Sequence, residues 1–226
     1  MIGGATRLVA LLGHPLAESL SPRMQNAAFA VRALDWAYVA CDVAKDALED
    51  AVRALVVLGF AGANVTTPHK LAVARLVETD APSVNTLVVR DGAVRGYSTD
   101  AAILQQVDVR TVAILGDGGA AVAFEAARPD AQLFSRRGEW PPRVEDVEAV
   151  VNATSERDEV LVELAPGQTL IDLPYPKTAT ARAAEAAGAR VIEGLEVLVA
   201  QGAAAFELWT GITAPIDVMR AAVRSA

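Results

Sequence analysis

Cysteine, histidine and lysine are scarce in this chain. Cys41 is the only cysteine among 226 residues, so no intrachain disulfide can form. With only two histidines beside it, a structural zinc site is not expected, and no metal is assigned. There is no basic block and the net charge is −8, which argues against nucleic acid and against an anionic membrane surface as partners. No apolar run approaches the ~18 residues of a membrane span, and Leu8 to Leu12 is too short for a signal-peptide core. The expectation is a soluble cytoplasmic protein. What the chain does have is apolar mass: 53% of its residues are hydrophobic, enough for one large or two small domains. Cys41 lies in the apolar run Trp36 to Val43 and is read as a buried core thiol.

Strand and helix patterns alternate, which predicts an α/β fold of two units with mostly parallel sheets. In the first half, strands are expected at Arg7 to Leu12, Ala37 to Asp42 and Ala63 to Val65, with helices at Pro22 to Leu34, Val43 to Leu58 and Leu71 to Val77. Val84 to Arg90 and Ala93 to Gly96 form a hairpin around Asp91-Gly92, followed by a helix from Ala101 to Gln106. A second run begins at Thr111. Its strands are Thr111 to Leu115, Ala131 to Phe134, Ala149 to Asn152, Thr169 to Asp172 and Ala189 to Ile192. Its helices are Ala120 to Ala127 and Thr178 to Gly188. The apolar tail, Leu195 to Trp209 and Pro215 to Val223, is helical and is expected to return to the first unit.

Asn64-Val65-Thr66-Thr67-Pro68-His69-Lys70 stands where a short strand gives way to a helix, and strand ends of α/β sheets face ligands. Asn64 and Thr66 offer neutral donors and acceptors, and Lys70, one of only three lysines, adds a transferable proton. This suits a hydroxylated small molecule and proton transfer. Gly116-Asp117-Gly118-Gly119 joins a buried strand to a helix, a turn that lets a pyrophosphate approach a helix N-terminus. About twenty residues on, where NAD-binding units carry an acidic residue, the strand ends in Ser135-Arg136-Arg137. Two guanidinium groups without a carboxylate point to NADP through its 2′-phosphate. Asp117 is out of place in a phosphate turn and is expected to face solvent.

Taken in order, these motifs resemble those of the shikimate dehydrogenase family, from about Arg7 to Met219. They are Gly13-His14-Pro15 with Ser19-Leu20-Ser21-Pro22, Asn64 to Lys70, Val84-Asn85-Thr86, Ser98-Thr99-Asp100, and Gly116 to Ala121. Asn152-Ala153-Thr154, Asp172-Leu173-Pro174-Tyr175 and Gly194-Leu195 through Gln201 complete the series. The resemblance implies reversible NADPH-dependent reduction of 3-dehydroshikimate to shikimate, in aromatic amino-acid biosynthesis. It also implies a substrate domain of residues 1–102 plus 195–226 and a Rossmann-like NADP domain of residues 103–194. Ser19, Ser21 and Tyr175 would hold the substrate carboxylate, and Asn64, Thr66, Asn85 and Gln201 its hydroxyls. Lys70 and Asp100 would be the catalytic pair. Gly116, Gly118, Gly119, Ala120 and Ala121 would cradle the pyrophosphate, and Ser135, Arg136 and Arg137 the adenosine phosphate. Asn152, Thr154, Leu173 and Gly194 would line the nicotinamide. The chain departs from the family pattern in its cofactor half: about a dozen residues separate Arg137 from the next strand, near the minimum for a parallel crossover. Glu18, beside the carboxylate loop, is expected to point outward. The alternatives are an NAD-using quinate/shikimate dehydrogenase, or a catalytically weak shikimate-binding protein. The expected assembly is a monomer or homodimer.

Overall fold

The computed structural model describes residues 2–225, and the chain divides into two compact units, 1–99 with 199–226, and 100–198. Each unit has its own five-stranded sheet. Among the described residues, no helix is long and apolar enough to cross a membrane.

The first unit runs β1 (Arg7–Gly13), α1 (Ser21–Val31), β2 (Trp36–Asp42), α2 (Leu48–Val57), β3 (Gly62–Val65), α3 (Lys70–Val73), β4 (Thr86–Arg90) and β5 (Ala93–Tyr97). Its sheet order is β2-β1-β3-β4-β5. β1, β2 and β3 are parallel, and the β4–β5 hairpin adds two antiparallel strands. The sheet is therefore mixed, because the Asp91-Gly92 turn folds the last strand directly back; both residues have positive φ. Strand alternation sorts the side chains. Ala10, Leu12, Ala63, Val65 and Leu87 pack with Leu48, Val52 and Leu55 of α2 on one face.

On the other face lie α1 and the C-terminal helices α6 (Gly194–Thr210) and α7 (Ile216–Arg224). Phe29 and Phe206 stack with ring centroids 5.6 Å apart, and Trp209 Nε1 donates to Leu87 O at 2.9 Å. Gly62 sits under that indole: a Cβ there would lie 2.2 Å from Leu87 O and 2.6 Å from Trp209 Nε1.

Three local readings shift. The expected Val43–Leu58 helix is α2 preceded by a short 3-10 turn, Lys45–Ala47. The Leu71–Val77 helix shortens to α3. Cys41 is half-buried near the end of edge strand β2, because that strand has a neighbour on one side only; partial burial still pushes its thiol pKa up.

The second unit opens with a 3-10 helix, Asp100–Gln106, in place of the expected α-helix. It continues through β6 (Val112–Leu115), α4 (Gly119–Ala127), β7 (Gln132–Phe134), β8 (Ala149–Asn152), β9 (Thr169–Asp172), α5 (Ala179–Ala186) and β10 (Arg190–Ile192). All its pairs are parallel, in the order β10-β9-β8-β6-β7. β6 comes first, β7 goes to one side and β8 to the other, so the switch point lies between β6 and β8. The β7–β8 connection contains no helix. Trp140, Val144 and Val147 pack instead from irregular chain, alongside Leu161, Val162 and Leu164.

Candidate active site

In the first unit, the residues singled out by sequence gather around the end of β3. Asn64 is buried at 5% exposure on the face opposite α2, and its amide is heavily committed. Nδ2 donates to Asn85 O and to Thr86 Oγ1, each at 3.0 Å, and Oδ1 accepts from Tyr38 Oη at 2.8 Å. Both amide protons are thus used internally, and one Oδ1 lone pair is left for anything else. Asn85 continues the network. Its Oδ1 accepts from Thr99 N at 2.7 Å, and its Nδ2 donates to Gln201 Oε1 at 3.3 Å, which ties α6 to the hairpin. Buried Asn64 and Asn85 and half-buried Gln201 are therefore brought together in one hydrogen-bonded cluster.

The chain beyond β3 is held from both sides. Thr66 N donates to Leu12 O at 2.9 Å and His14 N to Thr67 O at 3.1 Å, binding this turn to the loop after β1. Gly13 permits the approach, since a Cβ there would lie 2.3 Å from Thr66 Cγ2. His69 is buried and contacts Val43 O through Nε2 at 2.7 Å, which makes it a bracing residue. Lys70 follows as the first residue of α3, half-buried, with its carbonyl accepting from Val84 N at 3.1 Å. Ser21, buried, opens α1, and its N–H donates to Ser19 Oγ at 3.4 Å. Glu18 is exposed. His14 pairs with Asp42 at 2.5 Å, also at the surface.

Asp100 and Tyr175 belong to the second unit. Asp100 is the first residue of its 3-10 helix and is buried.

In the second unit every cofactor candidate sits at the C-terminal end of a parallel strand or just past it. Gly116 to Ala121 follow β6, Ser135 to Arg137 follow β7, Asn152 to Thr154 end β8, Leu173 follows β9 and Gly194 follows β10. Gly116 has φ +122°, and a Cβ there would lie 3.0 Å from Ala153 O, so the β6 turn and the β8 turn are in close contact. Gly118 differs. Its φ is −85°, and a Cβ would meet nothing within 4 Å. Neither its backbone nor its packing requires glycine, which leaves open space at the N-terminus of α4. That space, at a switch point and a helix N-terminus, fits a dinucleotide pyrophosphate. Gly194 is buried against the Leu173 and Pro174 carbonyls, where a Cβ would lie 2.6 and 2.3 Å away, so these two candidate positions meet. Asp117 is exposed, as expected, and its Oδ2 also lies 3.4 Å from Arg137 Nη1. Arg136 donates to Glu159.

Among known proteins, the profile described as shikimate dehydrogenase substrate binding domain matches residues 11–87, and that of the shikimate 5′-dehydrogenase C-terminal domain matches residues 194–224. A shikimate dehydrogenase (NADP(+)) of Anaeromyxobacter dehalogenans is 39% identical over an alignment of 278 positions, gaps included, covering 98% of this chain and 97% of the relative. The chain belongs to the shikimate dehydrogenase family. A crystal structure of a shikimate dehydrogenase with NADP+ superposes with a TM-score of 0.90 at 29% identity, covering 100% of this chain and 97% of the other. The shikimate 5-dehydrogenase of Thermus thermophilus, in complex with NADP(H) and shikimate, superposes with a TM-score of 0.84 at 28% identity, over 97% of this chain and 99% of the other. The 278-position alignment exceeds the 226 residues of this chain, so this family member is compact.

Some supporting contacts of this family member escape sequence reasoning. Asn152 is fully buried and serves as a brace: its Oδ1 accepts from Thr154 Oγ1 at 2.7 Å and its Nδ2 donates to Asp172 Oδ1 at 2.7 Å. Asp172 Oδ2 accepts from Thr178 Oγ1 at 3.0 Å, and Thr178 caps α5 by accepting from Ala181 N. Burial pushes the Asp172 carboxyl pKa up, against the opposing pull of these donors. Asp172→Ala would leave buried donors of Asn152 and Thr178 unpaired, a destabilisation of about 2–3 kcal/mol. Urea unfolding followed by circular dichroism checks this, and the midpoint is expected to fall. The Asp172 motif is visible in the sequence, but its partners come from β8 and α5, which no local pattern connects.

Proposed function

We propose that this chain catalyses the reversible NADPH-dependent reduction of 3-dehydroshikimate to shikimate, a step of aromatic amino-acid biosynthesis. The observation that carries the reading is the match to shikimate dehydrogenase (NADP(+)) across 98% of the chain at 39% identity. The open space at Gly118 and the row of candidate residues at the strand ends support it.

Bound NADPH would supply the hydride to the ketone carbon. Lys70 as an ammonium stabilises the developing alkoxide and donates a proton to it; in the oxidative direction it takes that proton back. Asp100 is assigned to keeping that lysine charged and oriented. Ser19, Ser21 and Tyr175 orient the carboxylate through neutral hydroxyls. Thr66, Asn85 and Gln201 bind ring hydroxyls, and Asn64 contributes its remaining acceptor position while it holds the other members of the cluster in place. Gly116, Gly118, Gly119, Ala120 and Ala121 receive the pyrophosphate, and Ser135, Arg136 and Arg137 the adenosine phosphate. Thr154, Leu173 and Gly194 line the nicotinamide, with Asn152 fixing the Thr154 loop.

Incubation with NADPH and 3-dehydroshikimate, with products separated by chromatography, tests the assignment. Shikimate formed in step with NADPH consumption is the expected result. Binding of shikimate without any turnover would replace the enzyme with a binding protein.

A further inference from the structure

The two arginines read as the 2′-phosphate site already hold carboxylates. Arg136 Nη2 donates to Glu159 Oε2, and the Arg136 guanidinium carbon lies 5.8 Å from the Trp140 ring centroid. Arg137 Nη1 lies 3.4 Å from Asp117 Oδ2, inside the glycine turn. All four side chains are substantially exposed, so water and solutes reach them.

Glu159 is presented by a built loop. Glu156 Oε1 accepts from the backbone N–H groups of Arg157, Asp158 and Glu159 at 2.9, 2.9 and 3.3 Å. Those N–H groups, chiefly those of Asp158 and Glu159, lower the Glu156 pKa, with a smaller contribution from Arg136. Thr154 Oγ1 accepts from Glu156 N at 3.2 Å, and Thr180 Oγ1 donates to Glu159 O at 3.3 Å. The loop is thereby fastened to β8 at one end and to α5 at the other. A planar guanidinium recognises carboxylate and phosphate oxygens through the same donors. A phosphate arriving at Arg136 therefore shares the guanidinium with Glu159 or displaces it, and in either case lies beside that carboxylate.

We propose that Glu159, with Asp117 in a secondary part, is an internal competitor of the cofactor's 2′-phosphate and sets how strongly this enzyme prefers NADP over NAD. The inference rests on the assignment of Arg136 and Arg137 to that phosphate.

Adenosine 2′,5′-bisphosphate and 5′-AMP differ only in the 2′-phosphate, so their affinities for the full chain, measured by calorimetric titration, isolate it. Glu159→Gln is near-isosteric and lies at the surface. It is expected to tighten the bisphosphate about fivefold, the scale of one exposed ion pair, and to leave 5′-AMP unchanged. Asp117→Asn is expected to act in the same direction and less strongly. Arg136→Gln is expected to abolish the preference for the bisphosphate. If the wild type prefers the bisphosphate and Glu159→Gln leaves that ratio unchanged or lowers it, Glu159 is no competitor and the inference fails alone. If wild type, Arg136→Gln and Glu159→Gln all bind the two nucleotides alike, the 2′-phosphate assignment fails and takes the inference with it.

Discussion

Lys70→Ala is expected to lower kcat by roughly 10²–10⁴ while leaving shikimate affinity nearly unchanged. The range is that of a positioned general acid–base group. Lys70 is anchored independently of its ammonium: it starts α3, and its carbonyl receives the Val84 N–H. Alanine is a good helix former, so the truncation spares the backbone. The bonds that join Asn64 to Asn85 and Thr86, and Asn85 to Thr99 and Gln201, run between those residues themselves. A loss confined to kcat is the signature of an interaction made in the transition state. Rapid-mixing kinetics for the rate and calorimetry for shikimate binding separate the two quantities. An undiminished kcat would remove Lys70 from the mechanism.

The second large effect concerns stability. Gly62→Ala is expected to destabilise the first unit by about 4 kcal/mol. Overpacking a tight core contributes about 1–3 kcal/mol. Loss of a buried hydrogen bond between Trp209 Nε1 and Leu87 O adds about 1–3 kcal/mol. The two nearest obstacles are a backbone carbonyl in the next strand and an indole held against it, so neither can swing aside as the end of a flexible side chain would. A fall in the thermal midpoint of about 10 °C is expected by differential scanning calorimetry. An unchanged midpoint would mean that Trp209 does not seat against β3.

Gly62 also shows where sequence reading stops. In the sequence it belongs to Gly59-Phe60-Ala61-Gly62, the stretch between the expected Val43–Leu58 helix and the expected Ala63–Val65 strand, and reads as part of the break. In the structure Gly59 has that role, with φ +72°, while Gly62 is inside β3. Its need for a bare Cα comes from Trp209, which is remote in sequence, and no local pattern carries that information. By contrast, the glycine turn was legible as a strand-to-helix connection, since Gly116, Asp117, Gly118 and Gly119 lie together between a buried strand and a helix. The hairpin was legible too, because Asp91-Gly92 specifies its turn chemically.

The same division holds in the site. The residue types at the ends of β3 and β7 singled them out as candidates for ligand contact. That Asn64 spends both amide protons on Asn85 and Thr86 depends on the register of three strands. That Arg136 meets Glu159 depends on a loop fastened by Thr154 and Thr180. The expected Leu71–Val77 helix stops after one turn because the chain turns back to β5: Gly96 N donates to Glu78 O and Thr79 Oγ1 to Gly96 O. Apolar spacing alone does not reveal that pull.

Steady-state oxidation of shikimate with NADP+, followed at the nicotinamide absorbance and repeated with NAD+ in its place, tests most directly whether one compact chain binds shikimate and NADP and moves a hydride between them. Saturable NADPH formation that depends on both substrates, and is faster than the reaction with NAD+, is the expected result. No nicotinamide reduction with either cofactor, at millimolar concentrations of both substrates, would contradict that function.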